Sequence, residues 1–330
     1  MHQRYQLLHI LADGQFHSGT ALGTILGMGR SAIWKHLHAL AEWGIDLHAV
    51  PGKGYRLAQP VELLDRDLIL KALPSPFALI VTELEIHQEI DSTNRYLMNK
   101  ARLGAPSGQA CLAEHQQAGR GRRGRVWVSP FGANIYLSLL WRFALNAESL
   151  SGLGLAVGVA VSRALSEEGV TEMGLKWPND VLWKNRKLAG ILLEMSGEIS
   201  GPCAVVIGVG INVRMPTVAA QEIDQPWADL ETALGRHVSR NQLAARLLQH
   251  LVHALQEFQS SGFSGFHQEW ARHDLANGKA VVLHLAGNTV VGNTVNGIGR
   301  GVDASGALIL ENHTGVRHYP YGEVSLRWVP

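Results

Sequence analysis

Four arginines and three glycines share a seven-residue loop of this 330-residue chain, Gly119-Arg120-Gly121-Arg122-Arg123-Gly124-Arg125. The formal net charge of the chain is only +1, so the loop is a local excess of positive charge. Arginine binds carboxylate and phosphate through several donors in one plane, and glycine lets a backbone approach a ligand closely. The loop therefore favours an anion-binding site, although Arg/Gly runs also occur in exposed linkers, nuclear-targeting patches and disordered RNA-binding tails.

Two apolar runs flank this loop. Residues Ala110–His115 lie upstream and Asn134–Trp141 lie downstream, and both have the composition of buried strands. A basic loop between two core strands is well placed to serve a binding site. We predict that it handles phosphate and becomes ordered when its ligand binds.

Three later segments each place polar groups at the end of a strand or in a turn. They are Lys176-Trp177-Pro178-Asn179-Asp180, Arg186–Glu194 and Ile207–Asn212. Because 183–187 is typical of a tight hairpin turn, Lys187 begins a strand, and its ammonium group is either held rigidly in the site or solvated at the turn. The chain has no G-x-x-x-x-G-K-[ST] run, and Gly-Val-Gly is too short for a dinucleotide fingerprint, so a nucleotide would be held without either loop.

A further polar cluster stands at a predicted helix start. Glu85–Ile90 is predicted as a strand, and Asp91-Ser92-Thr93-Asn94 then opens a helix that runs to about Arg102. Hydroxyl groups and unpaired backbone N–H groups gather at such a position, where a small polar ligand can dock. Ordinary capping of the helix is the alternative.

Residues 1–63 form a separate unit. Three helices are predicted, near Gln3–Leu11, at Ala21–Leu26 behind the cap Ser18, and from about Arg30 to Trp43. A hairpin pattern follows over Asp46–Leu57. This order is typical of a winged helix-turn-helix, which is a DNA-binding domain.

One face of the third helix is predicted to enter a major groove. Ile33, Leu37 and Leu40 share the opposite, inward face, because they recur at helical spacing. The residues expected to contact DNA come from the outer face, the helix start and the hairpin: Arg30, Ser31, Trp34, Lys35, His38, Lys53 and Arg56. Residues 1–60 hold five Lys or Arg against three acidic residues, so charge alone leaves a small protein-interaction domain as the alternative.

The rest of the chain divides into a larger and a smaller unit. A short helix at Leu64–Leu73 opens a central α+β unit over 64–276, which ends with helices at Asn241–Phe258 and Phe263–Arg272. A small SH3-like β-barrel is predicted over 277–330, either as a packing module or as a direct participant in the ligand-binding site. Its strands are expected at Val281–Leu285, Thr289–Val295, Ala307–Leu310, Val316–Tyr319 and Val324–Trp328.

The composition excludes several classes of protein. With 46% hydrophobic residues and ordinary charge content, the chain is predicted to be globular rather than a disordered tail. No stretch approaches the roughly 18 or more uninterrupted apolar residues of a membrane span, and the N-terminus lacks a signal-peptide pattern, so we expect a cytoplasmic protein. Cys111 and Cys203 lie in apolar runs that suit buried side chains rather than a disulfide, and the His residues form no metal-binding pattern.

The catalytic segments carry a resemblance to a known family. Behind a winged helix-turn-helix, the order Gly119–Arg125, Lys176–Asp180, Arg186–Leu192 and Gly208–Asn212 resembles the bifunctional biotin protein ligases that also repress the biotin operon. The resemblance covers nearly the whole chain. It implies a biotin/lipoate ligase-type catalytic domain with a mixed sheet, and an overall α/β multidomain fold.

The resemblance also implies an activity and partners. Such enzymes use ATP to convert biotin to biotinyl-5'-AMP, release pyrophosphate, and pass biotin to a lysine of the biotin carboxyl carrier protein of acetyl-CoA carboxylase. Mg²⁺ is expected to ride on the ATP phosphates. The adenylate is expected to promote a homodimer that binds operator DNA and represses biotin synthesis.

Individual residues receive roles from the same resemblance. Lys187, Arg120 and Arg122 are expected to be catalytic, with Lys187 bridging the biotin carboxylate and the α-phosphate. Biotin is expected to contact Ser92, Thr93, Asn94, Gln116, Arg120, Gly121, Arg122 and Lys187. The nucleotide is expected to contact Arg122, Arg125, Lys176, Asn179, Asp180, Asn212 and, for adenine stacking, Trp227. Glu323 and Arg327 are expected to close the site from the barrel.

Two alternatives of different class stay open. A lipoate-type ligase would share the catalytic scaffold without needing the Arg/Gly loop or the N-terminal winged helix-turn-helix, which we call the head. A transcription regulator that only senses a small anion would release no pyrophosphate. The head also departs from a favourable DNA-binding pattern at two positions: Gly29 stands where a Ser would cap the helix better, and Trp34 is bulky for a reading face.

Overall fold

The computed structural model describes residues 2–59, 61–144, 146, 148–197, 202–285, 294–320 and 325–328. Within them the chain forms an N-terminal head of helices and a hairpin, a central seven-stranded sheet with helices on both faces, and a C-terminal five-stranded antiparallel sheet. This order confirms the predicted fold class.

The head contains three helices and a hairpin: α1 His2–Leu11, α2 Gly19–Leu26, α3 Arg30–Ala39, β1 Leu47–Val50 and β2 Gly54–Leu57. Ser18 caps α2 as predicted, because its side chain accepts a hydrogen bond from the backbone N–H of Ala21. Helix α3 starts after Gly29 without a side-chain cap, and a 3-10 turn over Leu40–Trp43 replaces its predicted last turn. Ile33, Leu37 and Leu40 are buried in the head's core, as the spacing predicted.

The central sheet has seven strands: β3 Glu83–His87, β4 Gln109–Ala113, β5 Ile135–Phe143, β6 Met173–Lys176, β7 Asp180–Trp183, β8 Arg186–Gly197 and β9 Cys203–Ile211. Their order across the sheet is β3-β4-β5-β9-β8-β7-β6. Only β3 and β4 pair in parallel among these strands as described, so the sheet is mixed, as predicted. The strand predicted at 85–90 ends earlier, at His87, and Ile90 instead forms an isolated bridge with Gln116.

The helices of the central domain are α4 Arg66–Ala72, α5 Ser75–Ala78, α6 Thr93–Arg102, α7 Leu153–Glu167, α8 Thr217–Ala220, α9 Leu230–Leu234, α10 Arg240–Ser261 and α11 His267–His273. Helices α7 and α10 pack together on one face in the main apolar core. Helix α6 packs on the other face, where Leu97 and Met98 join Cys111 and Val206. The N-terminus of α6 therefore lies over the middle strands of the sheet.

One helical segment has the length and composition of a membrane span. It runs over Glu148–Glu167. An 18-residue window within it has a mean hydropathy of 1.4, and 78% of that window is buried inside the protein. Because α7 occupies most of this segment and packs in the main core, its apolar character is explained by burial in the protein.

The C-terminal unit contains β10 Ala280–His284, β11 Thr294–Val302, β12 Leu308–Asn312, β13 Gly315–Tyr319 and β14 Ser325–Trp328. All pairs are antiparallel in the order β13-β12-β11-β10-β14, which places β13 and β14 at the two ends of the described sheet. Most of the strand predicted at 289–295 lies outside the described residues. The unit docks on the central domain, since the Trp177 indole N–H donates to the Gly306 carbonyl over 3.1 Å.

Candidate active site

A cavity of about 660 Å³ lies between the N-terminus of α6, the Arg/Gly loop and strands β7 to β9. Its volume is within the usual range for small-molecule sites. It brings together most of the residues selected from the sequence: Ser92, Thr93, Asn94, Gln116, Arg120, Gly121, Arg122, Arg125, Lys176, Asn179, Asp180 and Lys187. Segments that are distant in the chain therefore form one site.

The Arg/Gly loop connects β4 to β5 and folds back on itself. The Gly121 N–H donates to the Arg125 carbonyl over 2.8 Å, and the Trp127 N–H donates to the Gly119 carbonyl over 2.9 Å. Arg123, at the tip, has a φ of 57°, in the left-handed region. Arg120 and Arg122 are half-buried in the cavity wall, whereas the side chains of Arg123 and Arg125 are exposed.

Lys187 is held in place rather than solvated at the turn. Lys184 and Asn185 form the two-residue turn, both with positive φ, and Lys187 follows on β8. Its backbone N–H donates to the Pro226 carbonyl, and its carbonyl accepts from Ala228, each over 2.9 Å. Its Nζ lies 2.8 Å from Asp180 Oδ1, and its side chain is 14% exposed. The site thus holds a fixed ammonium group close to a counter-ion.

A buried row of polar groups forms the end of the cavity at α6. Ser92 precedes the helix, but its side chain makes no capping hydrogen bond, so ordinary capping does not account for this residue. The N–H and Oγ1 of Thr93 donate to Gln116 Oε1 over 3.0 and 3.2 Å. Ser92, Thr93, Asn94 and Gln116 are each no more than 9% exposed. Fixed polar groups at a helix N-terminus are suited to recognising a small polar ligand.

Two glycines of β9 allow close packing at this wall. A Cβ at Gly208 would lie 2.2 Å from Asn94 Oδ1, and a Cβ at Gly210 would lie 2.5 Å from the Trp127 ring. The Trp127 ring also lies under Lys187, with Nζ 5.4 Å from the ring centroid. Its buried indole N–H has no hydrogen-bond partner among the described residues, so it can serve a ligand. The sequence motifs gave no role to Trp127, although it follows the loop by only two positions.

The other end of the cavity carries the predicted nucleotide-binding residues. An Arg122 guanidinium nitrogen donates to Asn179 Oδ1 over 3.0 Å, and Asn179 Nδ2 donates to the Ile191 carbonyl over 2.9 Å. Burial lowers the pKa of Lys176, the Asp180 carboxylate opposes this decrease, and the nearby positive charges of Lys187, Arg125 and Arg327 add to it. A group of cations with this mutual repulsion favours a bound polyanion.

Two predicted nucleotide contacts are placed differently. The Asn212 side chain is buried and donates to the carbonyls of Lys187 and Ala228, over 3.4 and 3.0 Å, so it braces the lysine backbone instead of lining the cavity. Trp227 bridges to Lys187 through its backbone, while its neighbours Gln225 and Pro226 line the cavity. Arg327 of β14 reaches the cavity wall as expected, and Glu323 lies outside the described residues.

The predicted DNA-reading face is accessible. Arg30, Ser31, Trp34, Lys35 and His38 are all exposed on α3, and Lys53 is exposed in the hairpin turn. Trp34 is 55% exposed, and its ring centroid lies 3.9 Å from that of His38, so it packs on a residue of its own helix. Arg56 differs, because its guanidinium group lies 4.7 Å from the Phe16 ring centroid and its Nε is buried. A phosphate contact by Arg56 would require it to leave this ring.

Residues on either side of the Arg/Gly loop contact the head and the segment that follows it. Upstream, fully buried Glu114 accepts the Leu64 backbone N–H over 2.6 Å and pairs with buried Arg240, also over 2.6 Å. Downstream, the Phe131 ring stacks on Trp43 at 4.3 Å between centroids and an angle of 6°. The loop is therefore attached on one side to the linker and on the other side to the head itself.

Both cysteines are buried, as predicted. Burial raises the pKa of the Cys111 thiol, which disfavours the reactive thiolate. Within the described part of the chain, no group of three or more His, Cys, Asp and Glu side chains could hold a metal ion.

The fold and the site define a class: a nucleotide-using ligase that carries a DNA-binding head. Family models agree with this division. Residues 3–56 match an HTH domain, residues 87–212 match the Biotin/lipoate A/B protein ligase family, and residues 278–327 match the Biotin protein ligase C terminal domain.

Known proteins make the assignment more specific. The bifunctional ligase/repressor BirA of Salmonella typhimurium is 44% identical over 97% of this chain and 96% of its own length, and that of Escherichia coli is 42% identical over 98% and 96%. The biotin protein ligase of Aquifex aeolicus in complex with biotin and ATP superposes with a TM-score of 0.64, at 29% identity over 75% of this chain and all of that one. The chain belongs to the biotin protein ligase family, in its bifunctional ligase/repressor branch.

Proposed function

We propose that this ligase forms biotinyl-5'-AMP in the cavity under the Arg/Gly loop and transfers biotin to a lysine of the biotin carboxyl carrier protein. The observation that carries the proposal is the arrangement of fixed cations around Lys187 beside a buried polar row. A biotin carboxylate oxygen attacks the α-phosphorus of ATP, and pyrophosphate leaves. Two anions must meet in this step, so preorganised donors lower its barrier.

Each part of the cavity has a role in that step. Lys187 bridges the biotin carboxylate and the α-phosphate, and Arg120 and Arg122 clamp the phosphate charge that develops. The buried polar row, Ser92, Thr93, Asn94 and Gln116, binds the ureido end of biotin. Lys176, Asn179 and Asp180 serve the nucleotide, and Asn212 supports it indirectly by bracing Lys187.

Magnesium enters as part of the nucleotide substrate. The Asp180, Glu222 and Asp224 carboxylates line the cavity separately, and any one of them could add an oxygen donor of the type that Mg²⁺ prefers to an ion held by the ATP phosphates. When bound, the ion neutralises phosphate charge. The protein's own side chains then orient the two substrates and neutralise the remaining phosphate charge.

The second step requires no nucleophile from this chain. The unprotonated amine of the acceptor lysine attacks the biotinyl carbonyl carbon, and AMP leaves with the phosphate oxygen. Since Cys111 is buried with a raised pKa, we expect no biotinyl thioester at either cysteine.

Transfer to the carrier tests this proposal against the lipoate alternative. Purified protein, ATP and Mg²⁺ are incubated with carrier protein and either radiolabelled biotin or radiolabelled lipoate. We expect label on the carrier only with biotin. Label from lipoate at a comparable rate would overturn the choice of substrate.

We also propose that the head represses biotin synthesis as a cytoplasmic homodimer, with biotinyl-5'-AMP as co-repressor. The exposed face of α3 and the stacking of Phe131, downstream of the loop, on Trp43 of the head support this role. Operator affinity is expected to increase at least about five-fold when biotin and ATP are added, the lower range of allosteric coupling. Affinity that is unchanged by these substrates would exclude the co-repressor role.

The lowered pKa of Lys176 predicts a pH effect on ATP binding. The Lys176 side chain is positively charged below its pKa. Because this pKa is lowered, the side chain loses its proton and its charge at a lower pH than an ordinary lysine does. The KM for ATP should therefore rise towards alkaline pH. Lys176→Arg keeps its charge and should flatten this limb. Measuring the KM for ATP from about pH 7 to about pH 10 checks the prediction, and equal profiles for both proteins would contradict it.

A further inference from the structure

Glu194 is a carboxylate of the site to which the motifs gave no role. It lies on β8, where its Oε2 accepts a hydrogen bond from Asn94 Nδ2 over 2.9 Å and its Oε1 pairs with the Arg120 guanidinium group. Its side chain is 21% exposed. One carboxylate of the sheet thus connects the start of α6 to the Arg/Gly loop.

Hydrogen bonds continue from Asn94 to the other end of the loop. Asn94 Oδ1 accepts from Ser138 Oγ over 2.6 Å, and Ser138 Oγ lies 2.8 Å from Thr93 Oγ1. The Thr93 backbone N–H donates to Gln116 Oε1 over 3.0 Å, Gln116 Nε2 donates to Ser129 Oγ over 3.2 Å, and Ser129 Oγ donates to the Trp127 carbonyl over 2.8 Å. The network begins at Arg120 and ends at Trp127, so it passes beneath the whole loop.

The two ends of this network fix the direction of its hydrogen bonds. An ionised carboxylate only accepts, so Asn94 must present its Nδ2 to Glu194, which leaves Oδ1 to accept the single proton of Ser138. The Trp127 carbonyl likewise only accepts, so Ser129 donates to it and Gln116 presents Nε2 to Ser129. The buried polar row therefore shows a ligand one defined pattern of donors and acceptors.

We propose that Glu194 is a positioning residue for biotin: its carboxylate holds Arg120 over the cavity and orients Asn94, and thereby sets the polarity of the row that binds the ureido group. The inference rests on the proposed function, because it takes Asn94, Thr93 and Gln116 as the biotin-binding row. Glu194 acts through these groups and does not touch the reacting atoms.

Glu194→Gln tests the proposal with little change in size. The amide cannot accept from Arg120 and Asn94 with both of its polar atoms, so the KM for biotin should rise about ten-fold or more, the scale of one lost charge-assisted hydrogen bond. The KM for ATP should change less than about two-fold, since the Lys176–Asp180 segment is outside the network. Trypsin should also cleave the ligand-free loop faster, because Arg120 is no longer held.

Glu269→Gln is the matched control. Glu269 pairs with Arg163 over 2.6 Å at similar exposure, 31% for Glu269, and does not line the cavity. The Glu269→Gln variant should have the same KM for biotin and the same KM for ATP as the unaltered protein. Glu194→Asp is the second variant, for use if Glu194→Gln fails to fold. It keeps the charge but shortens the side chain, so it should also raise the KM for biotin.

The outcomes separate the inference from the function beneath it. If the unaltered protein releases no pyrophosphate with biotin and ATP, the proposed function fails. If it does, and the Glu194 variants keep the biotin KM and the trypsin pattern of the unaltered protein, the positioning role is wrong. A KM for ATP that rises as much as that for biotin would also reject it, because the effect would then be a general loss of structure.

Discussion

Lys187→Ala is expected to lower the rate of pyrophosphate release by about 10²- to 10³-fold, the usual loss when one preorganised electrostatic donor is removed. The ammonium group is fixed by the β8 backbone and by Asp180, 2.8 Å away, so it is already in place when the two anions meet. No neighbouring lysine replaces it, because Lys176 is needed at the nucleotide. Release of pyrophosphate from biotin and ATP, measured without carrier, gives the rate.

Lys184→Ala is the control for this variant. Lys184 belongs to the same hairpin turn, but its ammonium group lies over the Trp183 ring, at 4.8 Å from the centroid, and does not line the cavity. Its loss should change the rate less than about two-fold. Operator binding measured without biotin and ATP should survive in both variants. Equal losses at the two lysines would show that the effect belongs to the turn and not to the ammonium group.

Arg240→Ala should destabilise the protein by about 3–5 kcal/mol, because it leaves a buried carboxylate without its partner. Arg240 is 3% exposed and Glu114 is fully buried, and Arg240 also donates to the carbonyls of Glu62 and Asn134. Urea denaturation followed by tryptophan fluorescence measures the change in free energy of unfolding.

Arg300→Ala provides the comparison for Arg240. Arg300 pairs with Glu311 at the surface, where both side chains are about half exposed, so its loss should cost less than about 1 kcal/mol. A similar small cost at Arg240 would contradict the proposed importance of the buried pair. Glu114 also accepts the backbone N–H of Leu64, at the junction between the head and the central domain. We therefore expect Arg240→Ala to weaken the effect of biotin and ATP on operator binding as well.

The local chemistry of the site could be predicted from the sequence. The Arg/Gly loop, the cluster at 91–94 and the turn before Lys187 each depend on a few adjacent residues, and the structure places all three at the cavity. The helices of the head also follow from short-range signals such as the Ser18 cap. Local sequence determines these features, so they can be seen before the fold is known.

Other parts of the site depend on which strands meet. Glu194 reaches Asn94 because β8 lies beside β9 and α6 crosses above them, and no local pattern states that order. Trp127 becomes a wall of the cavity because Gly190 and Gly210 of neighbouring strands leave room for its ring. The amide of Asn212 was expected at the nucleotide, but it turns inward and donates to the carbonyls of Lys187 and Ala228.

The release of pyrophosphate from biotin and ATP tests the central claim most directly. The protein is incubated with ATP, Mg²⁺ and biotin in the absence of any carrier, and the released pyrophosphate and the adenylate are counted per molecule of enzyme. We predict about one equivalent of each, formed only when biotin is present and greatly slowed in Lys187→Ala and Arg122→Ala. Release that does not depend on biotin, or that is unchanged in both variants, would contradict the claim that this cavity makes biotinyl-5'-AMP.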